Sequence, residues 1–313
     1  MRLSFVFITL LLLAPAHVAA RRAARAPDGH ASPQPVSLSV AVLDFGEAEE
    51  GRRVAEHLAK LLTVAAADAG VRLSARDRGL SGAAARGVGY RGSLNLTRRE
   101  ARDLGAAVGC DFLILGDART LRRSPSERPP FYEAYASVLV VSARTGRLVA
   151  WERPAAEAAT AGAAAAALLA ALDSLAAARY LAVAAREFAR EEHDLSRRAT
   201  RDEPAALVDF SAEGTEAAED VREPAPFRRL RPQYTEAAAR AEAEATVDAV
   251  VDLDEAGEVV RVEIERWAGF GLDEEVEATV RRMHFRPAAR DGRPVPSRVL
   301  LRYNFRRPPP EKR

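Results

Sequence analysis

The sequence predicts an α+β protein: an N-terminal α/β domain closed by a long Ala-rich helix, an acidic linker and a small C-terminal ββαβ domain. Three observations predict this organisation. Apolar runs typical of buried strands alternate with helical stripes as far as residue 198. The composition then changes over residues 199–226, and after residue 227 alternating strands flank one amphipathic helix. A length of 313 residues suits two domains.

The N-terminus is typical of an export signal. Arg2 precedes an apolar stretch that ends in small residues at Ala20, and this stretch is shorter than the ~20 residues of a membrane span. We expect a signal peptide over residues 1–20, a flexible leader over 21–36, and a periplasmic protein with no stable membrane span once the signal is cleaved. The alternative is an uncleaved anchor in the inner membrane, because arginines follow the expected cleavage point.

Residues 37–198 carry the pattern of the α/β domain. The spacing of Val54, Leu58 and Leu62 predicts a helix with one apolar stripe, and Thr97 with Glu100 predicts a capping box at the start of another. The sequence also predicts strands over about 37–45, 71–74, 111–116, 132–142 and 147–152, a loop over 78–96 and helix over 155–198.

Residues 199–226 are acidic and have the composition of a linker. Apolar residues interrupt this segment only from Leu207 to Phe210, whereas residues 281–313 are strongly basic. Opposite charges attract. We therefore expect the linker to fold back onto the C-terminal domain and to compete with partner peptides there.

Residues 227–306 form the second unit. Alternating apolar residues predict two strands over 247–253 and 260–264, each with one buried face. A helix over about 272–283 begins with acids and ends with arginines, as the helix dipole favours. A last strand is predicted over 298–305, followed by a tail from residue 307 to 313.

This second unit resembles the TonB carboxy-terminal domain, so the predicted ββαβ domain is TonB-like. The resemblance rests on the order of several segments, which are Arg231-Pro232-Gln233-Tyr234, Asp254 to Val259, Gly271-Leu272-Asp273, Arg281 to Pro287 and Asp291 to Pro296. Residues 37–198 are more weakly similar to the N-terminal α/β domains of CsgG- and TolB-type envelope proteins. The matching segments there are Val40 to Phe45, Cys110 to Gly116 and Val140 to Gly146.

The sequence carries no recognisable catalytic chemistry. We find no phosphate loop, the histidines lie far apart, and Cys110 is the only cysteine. Asp44 is better placed to cap the following helix than to act as a catalytic carboxylate. We therefore expect no enzyme activity, no catalytic residue, no cofactor, no metal site and no nucleic-acid partner. An enzymatic or ligand-binding α/β domain stays as an alternative.

The last strand is the candidate partner-binding element, because an open sheet edge can accept an extended peptide through backbone hydrogen bonds. The resemblance implies that the partner is an envelope protein, such as a peptide of an outer-membrane receptor. The expected partner-binding residues are Gln233, Tyr234, Arg298, Val299, Leu300, Leu301, Arg302, Tyr303, Asn304 and Phe305. A homodimer through this domain is a second use of the same edge.

The resemblance leaves two functions open. The first is a periplasmic envelope adaptor that binds partners by β-strand addition and is linked to outer-membrane transport. The second is a TonB-type energy transducer with an uncleaved N-terminal anchor. The folded domain and short acidic linker favour the adaptor, because the family's transducers carry a long Pro-rich spacer instead.

Overall fold

The computed structural model describes residues 37–69, 71–126, 128–198, 207–211 and 221–307. The predicted signal peptide (1–20), the leader (21–36), most of the acidic linker and the end of the tail lie outside the described residues.

A mixed sheet forms the centre of the N-terminal domain. Its strands are β1 (Ser37–Val42), β2 (Arg72–Ala75), β3 (Phe112–Arg123), β4 (Phe131–Ser142), β5 (Leu148–Glu152) and β6 (Ala155–Ala158). The order is β2-β1-β3-β4-β5, with β6 following β5 along the same side of β4. β1 is parallel to both β2 and β3, whereas β3, β4 and β5 are antiparallel.

Helices cover both faces of this sheet, which explains why β3 is apolar and buried from Phe112 to Leu115 and β4 from Val138 to Val141. The helices are α1 (Glu49–Asp68), α2 (Arg78–Gly87), α3 (Arg98–Val108), α4 (Ala161–Ala171) and α5 (Ser174–Arg198). One face packs against α1, α4 and α5, and the predicted stripe of Val54, Leu58 and Leu62 is buried there. The other face packs against α2 and α3 through Ala85 and Leu104.

Local signals account for most of these elements. The predicted capping box is present at the start of α3, where the Glu100 carboxylate accepts hydrogen bonds from the Thr97 backbone and hydroxyl at 2.7 and 2.9 Å. The same helix ends at Gly109, whose φ of 72° is the left-handed conformation that glycine adopts without strain. The fold class predicted from the sequence is confirmed.

Two predictions of secondary structure in this domain are wrong. The predicted loop over 78–96 contains α2, whose first turn is capped by Asp77 at 2.8 Å from the Leu80 amide. The segment is rich in glycine, and its buried stripe consists of Ser81 and Ala85 alone, so the sequence pattern did not indicate a helix. The predicted helical stretch over 155–198 begins with β6 and is broken at Leu172, where Asp173 caps the start of α5.

The C-terminal domain is built on a second sheet. Its elements, with the short strands that precede it, are β7 (Val208–Phe210), β8 (Val221–Arg222), β9 (Ala225–Pro226), α6 (Glu236–Ala241), β10 (Ala245–Leu253), β11 (Val259–Arg266), α7 (Leu272–Val280), β12 (Phe285–Arg286), β13 (Ala288–Arg290), β14 (Arg293–Val295) and β15 (Ser297–Phe305). The sheet order is β11-β10-β15-β7. α7 packs Leu272, Val276 and Val280 on the predicted buried face of β10.

The described part of the acidic linker pairs with this domain. β7 joins the main sheet beside β15, β8 pairs with β13, and β9 pairs with β12. The expectation that Leu207 to Phe210 folds back is therefore confirmed. The domain boundaries at residues 198 and 226 stay a prediction.

The described residues form one compact unit, and Trp267 lies at the contact between its two sheets. This side chain is 1% exposed, packs among residues of the N-terminal domain and donates from Nε1 to the Gly146 carbonyl at 3.0 Å. Asn95 adds hydrogen bonds from Nδ2 to the carbonyls of Thr246 and Trp267, at 2.8 and 2.7 Å. The sequence pattern predicted neither contact.

Among the described residues, no single helix has the length and apolar character of a membrane span; α4 and α5 reach that threshold only as a pair bent by 48°.

Candidate partner-binding edge

β15 is held firmly on its inner side. It pairs with β10 along all of its residues, and Leu301, Tyr303 and Phe305 are buried against the domain core. The opposite face carries Arg298 and Arg302, which alternate with the buried side chains as strand geometry requires. The expected partner-binding side chains therefore divide between a core face and a charged face, and only the backbone of the outer edge is left for pairing.

The two arginines are fixed by acids of β10. Arg298 binds both carboxylate oxygens of Asp252, at 2.6 and 3.0 Å, and Arg302 binds both oxygens of Asp248, at 2.7 and 3.2 Å. Asp248 is 3% exposed and also contacts Arg266 of β11 at 3.4 Å. These paired charges link three strands of the sheet behind the edge.

Replacing Asp248 with alanine is expected to lower the free energy of unfolding by about 2–3 kcal/mol, because two arginines lose a buried partner. The loss lies below that of a fully buried pair, since the Arg302 side chain is 46% exposed and keeps water contact. Urea unfolding followed by circular dichroism measures it. The matched control is Asp252→Ala, which removes one arginine contact instead of two; a larger loss for the control would contradict this account.

The outer side of β15 is already in contact with the chain's own linker. β7 runs parallel to β15 with Val208, Asp209 and Phe210 in register with Ser297, Arg298 and Val299. The Val208 amide donates to the Pro296 carbonyl at 3.1 Å. An extended segment therefore occupies the first third of the candidate edge.

β7 ends where Asp209 turns the backbone. Its carboxylate accepts hydrogen bonds from the Ser211 amide at 2.8 Å and from the Ser211 hydroxyl at 2.6 Å. Such local bonds are typical of an Asx turn, which competes with strand pairing. The pairing of β7 with β15 stops at Val299, so within the described residues β15 from Leu300 to Phe305 has no strand on its outer side.

Backbone groups of alternate strand residues point to the same side. Because the Pro296 carbonyl faces β7, the polar groups of Leu300 and Arg302 face the same outer edge. The Arg302 carbonyl accepts a hydrogen bond from the Arg229 guanidinium at 2.7 Å, and this guanidinium lies 5.4 Å from the ring centre of Tyr303. Among the described residues, a longer strand added here must displace the Arg229 side chain.

Gln233 and Tyr234 lie just before α6 and differ in their surroundings. The Tyr234 hydroxyl contacts the carbonyls of Ala238 and Ala243, at 3.1 and 2.7 Å, and its ring lies 6.4 Å from that of Phe305. Tyr234 therefore braces the end of β15 from inside, whereas Gln233 is exposed.

Neighbouring acids neutralise part of the basic character of the C-terminal segment. Besides the two pairs with β10, the pairs are Arg281 with Glu277, Arg306 with Glu244 and Arg307 with Glu242. Their carboxylates come from the same domain. Among the described residues, the exposed Arg282, Arg286, Arg290 and Arg293 form no ion pair, so the surface keeps part of its predicted basic character.

Two groups considered in the sequence, Asp44 and Cys110, lie outside the edge. Asp44 does not cap α1 as expected, because its carboxylate pairs with Arg78 and the helix begins at Ala48 without a side-chain cap. Burial raises the pKa of the Cys110 thiol to about 12, which disfavours the reactive thiolate. No group of metal-binding side chains occurs among the residues that the structure describes.

A cleft of 410 Å³ lies between β5 and β11, the free margins of the two sheets. Part of its charged lining is paired: Arg261 contacts Glu263 at 2.7 Å, and Arg281 contacts Glu277 at the same distance. Asp273, at the start of α7, points its carboxylate at the amides of Ala268 and Gly269, both at 2.8 Å. These two hydrogen bonds to Asp273 stabilise the loop after β11.

Fold and edge together define the class: a two-domain α+β protein whose C-terminal sheet ends in an edge strand engaged by an extended segment. Residues 231–306 match the family described as Gram-negative bacterial TonB protein C-terminal. This part of the chain is a TonB C-terminal domain, as the sequence resemblance predicted, and that family is not a family of enzymes. No curated protein sequence matches the chain.

Three solved structures are similar to parts of the chain. The TonB C-terminal domain of Pseudomonas aeruginosa is 19% identical and matches over 35% of this chain and 99% of its own, with a TM-score of 0.25. A hypothetical protein from Chlamydia trachomatis is 12% identical over 40% of this chain and 74% of its own, with a TM-score of 0.27. A lipoprotein from Neisseria meningitidis is 12% identical over 44% of this chain and 96% of its own, with a TM-score of 0.26.

Proposed function

We propose that the chain is an exported envelope adaptor, related to TonB-type transport, whose C-terminal domain binds partner proteins by adding an extended segment to β15. The TonB C-terminal domain supports an envelope location and a link to transport. In this proposal the N-terminal domain engages a second envelope component, and the periplasm is the compartment in which both contacts form.

The observation that carries the proposal is the docking of β7 on the outer edge of β15. A peptide segment with no other strand partner is accepted there through backbone pairing. The remaining edge, from Leu300 to Phe305, extends the same line of backbone donors and acceptors. A partner segment that pairs along this full length gains more hydrogen bonds than the three-residue β7 and can take its place.

The Arg229 contact fits this role. It satisfies the outward carbonyl of Arg302 while the edge is empty of a partner, and a surface arginine can be withdrawn without disturbing the sheet. The edge is thus protected from non-specific pairing by a side chain and a short strand, both of which are displaceable.

Photo-crosslinking in intact cells tests this function. A photoreactive residue at Leu300, on the outer edge, is expected to capture a partner protein, and the yield is expected to rise when Val208→Pro weakens β7. Proline has no amide hydrogen and cannot make the 3.1 Å bond to the Pro296 carbonyl.

The control places the same photoreactive group at Val260 on β11, the opposite edge of the same sheet, where the side chain is 64% exposed. We expect a discrete adduct at Leu300 and none at Val260. Equal adducts at the two positions, or no adduct at Leu300 in either background, would remove the support for strand addition.

A further inference from the structure

β7 and β15 form rows of side chains that extend across the sheet. In register, Asp252, Arg298 and Asp209 form one row over β10, β15 and β7. This row lies on the charged face of the sheet. The central arginine binds the Asp252 carboxylate and lies beside Asp209, whose charge acts on it while its Oδ1 accepts from Ser211.

The electrostatics of this row are attractive on both sides. The hydrogen bond and charge of Asp252, joined by the charge of Asp209, raise the pKa of Arg298 above its ordinary value. Arg298 uses Nε and one terminal nitrogen for Asp252, and a guanidinium has five N–H donors, so donor capacity remains for a second acid. An acid opposite Arg298 is favoured, and a basic residue there is repelled.

The neighbouring rows are different. Val208 lies opposite Ser297, which is fully buried, and Phe210 lies opposite Val299. Residues on either side of the acid point to the other face of the sheet, next to the apolar residues of β10. The docked segment therefore has the order apolar, acidic, apolar in the parallel direction.

We propose that β7 is an internal copy of the partner's recognition segment: the edge of β15 selects an extended peptide with an acid between two apolar residues, bound parallel to β15 and in competition with β7. This inference rests on the proposed function and specifies the chemistry of the partner. A longer segment meets the same charge again four residues later, opposite Arg302, which repeats the pairing of Arg298 with an acid of β10.

The sequence of the linker is consistent with this role. Leu207 to Phe210 is the apolar interruption in an otherwise acidic segment, and Glu213 follows Asp209 by four positions. The order of apolar and acidic residues in the chain's own segment thus matches the spacing of Arg298 and Arg302 along β15.

Peptide binding to the full chain carrying Val208→Pro tests the inference. The probe is a fluorescent peptide copying residues 207–213, compared with the same peptide carrying Asp209→Asn or Asp209→Arg. At low salt we expect the acidic peptide to bind about fivefold more tightly than the Asn peptide, and the Arg peptide to bind most weakly. NMR shifts confined to β15 identify the site.

Variants of the full chain show which arginine causes the preference for the acidic peptide. Arg298→Gln is expected to bind the Asp and Asn peptides equally, Arg298→Lys to keep the preference for the acid, and the exposed Arg293→Gln to behave as the parent. Equal affinity of the Asp and Asn peptides for the parent would overturn the inference and leave strand addition intact. If no peptide of any of the three sequences binds the edge, both the inference and the proposed function fail.

Discussion

Replacing Trp267 with alanine is expected to lower the free energy of unfolding by about 3–5 kcal/mol, more than any other substitution proposed for this protein. The indole is 1% exposed and packs into the core of the N-terminal domain, although it belongs to the C-terminal domain by sequence. Its removal leaves a cavity between the two sheets and an unsatisfied Gly146 carbonyl. Urea unfolding followed by circular dichroism measures the loss.

Two further variants separate packing from hydrogen bonding at this position. Trp267→Phe keeps a ring but has no donor for Gly146, so we expect it to lose about 1–2 kcal/mol. Val260→Ala, at an exposed site of β11, is expected to change stability by less than about 0.5 kcal/mol. A Trp267→Ala loss as small as that of Val260→Ala would contradict the view that this residue joins the domains.

Stability is expected to decrease as pH rises from about 4 to about 7 because of Asp273. Burial raises the pKa of this carboxyl to about 7, against the opposing effect of the Ala268 and Gly269 amides. An acid whose folded pKa is raised binds its proton more tightly in the folded state, so its contribution is complete below its unfolded pKa of 3.8 and is lost as pH passes through 7.

The expected change is about 2–4 kcal/mol between these limits. This change is smaller than the full free energy of the pKa difference, because the Asp273 side chain keeps some solvent exposure. The Asp273→Asn variant cannot ionise, so subtracting its unfolding free energy from that of the parent at each pH isolates the effect. Glu275→Gln, in the same helical turn but not among the charges that shift the Asp273 pKa, is the matched control. A parent and an Asp273→Asn variant with parallel pH curves would show that the carboxyl is ionised in the folded state.

These two predictions concern one loop. Asp273 binds the two amides that directly follow Trp267, and Phe270 packs against Trp151 of β5 with ring centres 5.7 Å apart. Ionisation of Asp273 therefore acts on the segment that joins the sheets. We expect the pH effect to be smaller in the Trp267→Ala background, because that contact is already lost.

Local patterns predicted the parts of the fold that depend on local physics. The alternation in β10, the stripe of α1 and the capping box at Thr97 each involve residues close in sequence, and each is present in the structure. The alternation predicted for β11 holds at Val262 and Ile264 but is wrong at Val260, which is 64% exposed beside a register shift between β10 and β11. The TonB C-terminal resemblance was also predictable, because it rests on the order of turns and strands. Composition misled at α2, where glycine and arginine surround a short buried stripe.

The candidate edge was predicted less completely. β15 was identified from its alternation, and the charge of the linker indicated that Leu207 to Phe210 would fold back. The parallel direction and the register of Asp209 with Arg298 come from tertiary packing, for which one sequence carries no signal. The same holds for Trp267, whose partners lie more than a hundred residues earlier in the chain.

The position of Asn95 has a practical consequence for producing this protein. Asn95-Leu96-Thr97 has the form of an acceptor for N-linked sugars in the eukaryotic secretory pathway. A glycan would be joined to Nδ2, the atom that donates to Thr246 and Trp267 at 2.8 and 2.7 Å. Material secreted from yeast or animal cells would thus carry a bulky sugar where the two domains meet. Expression in a bacterial host avoids this modification.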